Sequence, residues 1–105
     1  MEEKIKPLFW SDSSKKDLQS IYDYYSQFSD DVALKIISGI IIKAEGLGEH
    51  PLIGRVEELL INRKKQYRFL VEGNYKVIYA VEENHIAIHR VFDARQNPSK
   101  LSKLK

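Results

Sequence analysis

NYKVIYAVEENHIAIHRVFDARQNP, from Asn74 to Pro98, is the stretch whose reading decides the fold. From Tyr75 to Val81 it is rich in aromatic and β-branched residues, which fit a pleated surface. Glu82-Glu83-Asn84 breaks the run, and a second run extends from His85 to Phe92, so the pair predicts an antiparallel hairpin closed by Asp93 to Pro98. Both runs are read as apolar on both sides of the pleat, the first with Val77, Tyr79 and Val81 on one and Ile78 and Ala80 on the other. Strands covered on both faces are expected at the centre of a sheet. The hairpin also carries a basic set, Lys76, Arg90 and Arg95, with His85 and His89 beside it.

Immediately upstream, Tyr67 to Val71 predicts another strand, linked to the hairpin through Glu72-Gly73-Asn74. Asn62 to Gln66 is a polar, basic turn, and Val56 to Ile61 is an apolar patch that fits either a strand or a bent connector. Further back, Val32, Ala33, Ile36, Ile37, Ile40, Ile41, Ala44 and Leu47 recur at helical spacing after the cap cluster Phe28-Ser29-Asp30-Asp31. Gly46, Gly48 and Pro51 end this helix. An earlier helix starts at Ser11-Asp12-Ser13-Ser14, with Asp17 read as complementing its dipole and Leu18, Ile21, Tyr22 and Tyr25 as its core face. The short connection makes the two helices antiparallel neighbours. Lys4 to Trp10, interrupted by Pro7, predicts a short strand ending in a buried Trp10.

The predicted order is β-α-α-β-β-β, an α+β fold in which a helical hairpin packs on a small, largely antiparallel sheet. At 105 residues and 43% apolar content the chain supports one compact domain, assigned to residues 1–98, followed by a basic tail at 99–105. There is no cysteine, which excludes disulfides and thiolate metal sites and suits a reducing cytoplasm. The N-terminus has no secretory pattern and the longest aliphatic cluster, Ile36 to Ile42, is interrupted by Ser38 and Gly39, so no membrane association is expected. Charge is uneven. Residues 1–50 hold six Lys/Arg against nine Asp/Glu, whereas residues 51–105 hold eleven against six, giving −3 and +5. A basic half favours an anionic partner, and the same pattern also fits an ordinary solvated surface.

Most chemistries are poorly served. His85 and His89, four residues apart on a strand, stand about 13 Å from each other, too far to share a metal ion. No serine occupies a strand-to-helix elbow, and the glycines form no phosphate-cradling loop. Metal and cofactor are therefore not expected. General acid–base cleavage of RNA is the one reaction the inventory serves, with His85, His89, Arg55, Arg68, Arg90 and Arg95 as candidates. The same side chains equally serve a phosphate-contacting or carboxylate-pairing patch without chemistry.

Taken with their order and spacing, SDSSKKDLQSIYDYY, EHPLIGR, YKVIYAVEENHIAIHRV and FDARQNP resemble the RelE/ParE superfamily of bacterial type II toxins over nearly the whole chain. The ParE-like, plasmid-stabilisation branch is the better match, through Asp17, Leu18, Ile21 and Tyr25; Pro51, Gly54 and Arg55; and Phe92 with Arg95. This resemblance implies a cytoplasmic bacterial growth inhibitor neutralised by a cognate antitoxin protein. For the ParE-like branch it implies binding and poisoning of DNA gyrase; charge and position, rather than the resemblance, make Arg90 and Arg95 at the basic end and Lys100 and Lys103 in the tail the expected target-binding residues. For the RelE-like branch it implies metal-independent cleavage of mRNA in the ribosome, with Arg68, Lys76, His89 and Arg95 as the catalytic candidates. The chain departs from that second pattern: it has no C-terminal tyrosine after Tyr79, Lys76 stands in place of an arginine, and Leu70 occupies the second basic position of the early strand. Gyrase inhibition is thus the leading expectation, with the endonuclease and a non-toxic antitoxin-binding or regulatory protein as alternatives.

Overall fold

The computed structural model describes residues 5–60 and 64–95, apart from the side chain of Leu59. The basic tail at 99–105, with Lys100 and Lys103, lies outside the described residues, as does Ile61. Five strands and two helices follow in the order β1 (Leu8–Trp10), α1 (Asp12–Ser26), α2 (Asp30–Glu45), β2 (Arg55–Val56), β3 (Arg68–Glu72), β4 (Tyr75–Val81) and β5 (Ile86–Asp93). They form one sheet ordered β1-β5-β4-β3-β2, antiparallel throughout except that β1 runs parallel to β5. The expected α+β architecture is present, and β4 and β5 are central strands. The patch at 56–61 resolves into both of its options: a two-residue strand, followed by a 3-10 turn at Glu58–Leu60.

Local sequence explains the elements. Ser11 caps α1 by accepting a hydrogen bond from Ser14 N at 2.9 Å, and Ser29 caps α2 by accepting one from Val32 N at 3.2 Å. Gly73 turns β3 into β4 with φ +58°, a left-handed conformation that glycine adopts without steric cost. Lys6 Nζ donates to the carbonyls of Glu82 and Glu83, at 2.7 and 2.8 Å, and so holds the other hairpin turn.

The helices cover one face of the sheet. Ile40, Ala44 and Leu47 from the second helical segment meet Tyr75, Val77, Tyr79, Ile86, Ile88 and Val91, with Leu18, Ile21 and Tyr25 of α1 packed against them. Tyr22 is only half-buried, as is Trp10, which packs against this core rather than inside it. Val32, expected on the core face of α2, is exposed. The opposite face bears a smaller cluster of Leu60, Ile78 and Phe92, flanked by Tyr67 and Phe69. Leu60 arrives there because the 3-10 turn folds the connector back over the sheet.

One irregularity in the strand pairing sets where β5 meets α1. The β4–β5 register passes from Ile78 opposite Arg90 to Tyr79 opposite Ile88, so β5 carries one extra residue, His89. This bulge lets Ile88 and Val91, three apart, share the helix-covered face. It also lies where β1 ends, and α1 takes over the vacated edge. Ser11 N donates to Ile88 O, Ser11 Oγ to His89 O, and Val91 N to Asp17 Oδ2, at 3.0, 2.7 and 2.9 Å.

Candidate functional site

Among the described residues, Arg90, then Arg68 with Lys76 and His89, and then Arg95 fall into three places, with His85 apart from them. In the first, Arg90 donates through Nε and Nη2 to the two oxygens of Asp17, at 2.8 and 2.9 Å, a fork-to-carboxylate match. Both side chains are mostly buried, and the hydrogen bonds of Asp17 hold the arginine more firmly protonated than usual. Asp17 was expected to complement the helix dipole from the first turn. It lies further along, and Asp12 is the acid of that turn. Asp17 instead joins α1 to β5, because it faces both the guanidinium and the Val91 amide that the bulge leaves at the edge.

The second place is the region around β3. Arg68 Nη1 donates to Gly54 O at 2.8 Å, while Gly54 N donates to the hydroxyl of Tyr79, which in turn donates to Pro51 O. Burial pushes the Tyr79 phenol pKa upward, although the bond from Gly54 opposes it. Gly54 is required at this approach: a Cβ there would stand 2.5 Å from Tyr79 Oη and 2.7 Å from Phe69 O. The loop expected to be tied by Arg55 is therefore held by Arg68 and Tyr79, and Arg55 is exposed.

Alternation along β3 and β4 sends Lys76 to the other, helix-free face. Its Nζ lies 4.2 Å from the centroid of Phe69 and 3.1 Å from Glu57 Oε2, whose side chain is only 4% exposed. His89, also on this face, packs its ring against Tyr67 with centroids 4.8 Å apart. Lys76 and His89 thus share a face, whereas Arg68 is engaged on the opposite one. His85 is at the far end of the sheet, edge-on to Phe9 at 5.1 Å. Neither Glu57 nor Tyr67 was among the sequence candidates for a site, since the partners each meets, Lys76 and His89, are set by tertiary packing.

The third place is a cleft of about 580 Å³ between α1 and the ends of β4 and β5, lined by Ser20, Tyr24, Tyr25, Tyr75, Asp93 and Arg95 among others. Arg95 donates through Nε and Nη2 to the carboxylate of Asp93 at 3.0 and 2.8 Å and leaves its side chain 57% exposed. That bidentate bond, and then the Tyr25 hydroxyl, raises the arginine's pKa, while Arg95 lowers that of the Asp93 carboxyl. Tyr75 Oη donates to Tyr25 Oη over a long 3.4 Å, and burial first, then this contact, pushes the Tyr75 phenol pKa up. Tyr24 stands at the rim, edge-on to both Tyr25 and Phe28. Helical spacing placed Tyr25 on the inner face of α1; that it meets Tyr75 and Arg95 there was not legible.

Among the described residues no group of three or more His, Asp or Glu is placed to hold a metal ion, and no helix is long and apolar enough to cross a membrane.

Comparison with known proteins agrees with this fold. A chain of the chromosomal ParDE toxin–antitoxin system of P. aeruginosa superposes with a TM-score of 0.73 at 23% identity, covering 87% of this chain and 98% of that one. The YoeB dimer of Staphylococcus aureus gives a TM-score of 0.53 at 21% identity, over 82% of this chain and 93% of that chain. A sequence search of curated proteins finds no match. The sequence model of the ParE toxin of type II toxin–antitoxin systems, parDE, matches residues 8–98, from the first strand through the segment that follows the cleft. With that match spanning both helices and all five strands, the chain belongs to the ParE toxin family.

Proposed function

We propose that this ParE-family protein inhibits bacterial DNA gyrase by binding, in the cytoplasm, and is neutralised by a cognate antitoxin. The observation that carries the proposal is the separation of the basic residues a nuclease would need to gather. Arg68 is bonded to Gly54 O on the helix-covered face, Lys76 is paired with Glu57 on the other, and Arg95 stands at the cleft. Acid–base catalysis requires donors and acceptors converging within hydrogen-bond reach of one reacting group, whereas a binding inhibitor requires only a complementary surface. Arg95 remains a proposed contact with the target; Arg90, held in its ion pair with Asp17, contributes chiefly by fixing the strand that presents it. Lys100 and Lys103 are proposed as further contacts on grounds of charge.

Antitoxin binding is supported by surface left over once the core is built. Phe28, Val32, Leu34 and Ile42 are exposed on the helical hairpin, and Val71 on β3. β2 pairs only with Arg68 and Phe69, so the outer edge of β3 from Leu70 to Glu72 has no neighbouring strand among the described residues. An extended or amphipathic segment rich in acids suits such a surface.

The test is a supercoiling assay of purified gyrase with increasing protein, scored for lost supercoiling and for accumulated cleaved DNA. Inhibition relieved by the antitoxin is expected. Untouched gyrase at large excess overturns the proposal and directs the search to mRNA on translating ribosomes, with Arg68, His89 and Arg95 as the residues to substitute. Toxicity absent altogether on induction in bacteria would leave the regulatory alternative.

A further inference from the structure

We propose that the cleft between α1 and the ends of β4 and β5 binds one nucleotide of a single-stranded nucleic acid, its phosphodiester on Arg95 and Tyr25 and its base on the exposed ring of Tyr24. This goes beyond gyrase inhibition and does not depend on it.

The hydrogen-bonding groups of the cleft divide into those already spent and those still available. Asp17 accepts from Arg90 twice and from the Val91 amide, and Asp93 accepts from Arg95 through both oxygens. Each carboxylate is already neutralised by an arginine, which disfavours a cationic ligand. What remains is a set of donors. Arg95 keeps guanidinium N–H groups beyond the two bonded to Asp93, and Tyr25 with its hydroxyl lines the same cleft. Ser20, on the same face of α1 as Tyr24, adds a hydroxyl to the lining. A ligand for this cleft is therefore an acceptor with several separated oxygens.

Two features favour a phosphodiester over the carboxylate of an acidic protein. Asp93 occupies Nε and Nη2 of Arg95, so an incoming anion meets the remaining guanidinium N–H groups, and a phosphodiester presents two non-bridging oxygens beside further ester and sugar acceptors for the neighbouring hydroxyls. The rim also offers an aromatic surface: Tyr24 is 56% exposed, and edge contacts with Tyr25 and Phe28 hold its orientation. Single-stranded nucleic acids are held by this combination of cationic backbone contact and aromatic stacking, each stacked base contributing about 1–3 kcal/mol. A cleft of about 580 Å³ is of the size that accepts one small ligand or nucleotide unit.

The experiment is fluorescence anisotropy of labelled dT12, rU12, a 12-base-pair duplex and a glutamate-rich peptide with the purified protein, without gyrase. Saturable binding of dT12 or rU12, weaker for the duplex, is expected. A ratio between dT12 and rU12 would identify which strand the site prefers. Tyr24→Ala, at an exposed position, is expected to weaken binding about tenfold. Arg95→Gln is expected to weaken it comparably and to reduce the slope of log affinity against log salt by about 0.7. Arg55→Gln, outside the cleft, is expected to leave affinity nearly unchanged, and circular dichroism establishes that each variant is folded. The proposal is overturned if no strand binds, if Arg55→Gln costs as much as Arg95→Gln, if Tyr24→Ala has no effect, or if the acidic peptide alone binds through Arg95.

Discussion

Arg90 and Arg95 stand five residues apart and make the same bond, two guanidinium nitrogens to two oxygens of one aspartate at 2.8–3.0 Å. Their surroundings differ. Arg90 reaches Asp17 across 73 residues of chain and binds it with 22% and 15% of the two side chains exposed, while Arg95 binds Asp93 two residues away with its own side chain in solvent. The first pair connects two elements and shares its carboxylate with a strand amide. Breaking it leaves a sheltered cation and an unpaired N–H. In the second pair both partners are already neighbours in the unfolded chain and water replaces whatever is lost. Identical geometry thus marks a structural joint in one place and an exposed guanidinium in the other.

The largest expected effect comes from removing the joint. Asp17→Ala should cost about 3 kcal/mol in urea unfolding, because Arg90 and the Val91 amide lose their acceptor together. A loss no greater than that of an exposed substitution would break the contrast between the two arginines. The helix-free face supplies an intermediate case. Glu57→Ala should destabilise by about 2 kcal/mol, less than Asp17→Ala because Lys76 keeps its contact with Phe69 and part of its hydration.

A smaller effect separates the ends of β5 by pH. Both arginines stay charged across the accessible range, but Tyr75 beside Arg95 and Tyr79 under the Gly54 loop have folded pKa values raised above the ordinary 10.0. The unfolded phenols ionise first as pH rises, so this share of stability is present below about pH 10 and is lost above it. Melting temperature should therefore fall from pH 9.5 to 11, and Tyr75→Phe should fall less steeply than the parent. An identical slope in Tyr75→Phe would show that the cleft end does not contribute. The smallest expected effect is that of Asp93→Asn. Exposed pairs of this kind contribute little, so unfolding should be indistinguishable from the parent, while affinity for dT12 should rise as Arg95 is released. A marked destabilisation would make the two pairs alike after all.

How much of this was legible depends on the range over which each feature is determined. The Tyr75–Val81 strand, the capped starts at Ser11 and Ser29 and the glycine turn at Gly73 are open to direct reading, because propensity, capping and φ preference act within a few residues. The candidate site was legible only as an inventory. Arg95 was expected to be functional and its pairing with Asp93 was open to view in FDAR, but nothing local connects Tyr25 with Tyr75, 50 residues on. Asp17 was misassigned for the same reason: a carboxylate near a helix start satisfies the dipole argument whether or not a guanidinium waits across the fold.

The sequence by itself determined the two helices and the strands β1, β3, β4 and β5, their α+β class, that no cysteine chemistry is available, and that the second half is the basic one. Only the tertiary structure decided that β1 lies parallel against β5, that a bulge at His89 turns Arg90 to Asp17, and which cations are spent holding the fold. Hydrophobic period and turn chemistry are short-range and repeat along the chain, so they can be read from it. Pairing a charge depends on a single distance between residues far apart in sequence, and that distance exists only after the core has closed.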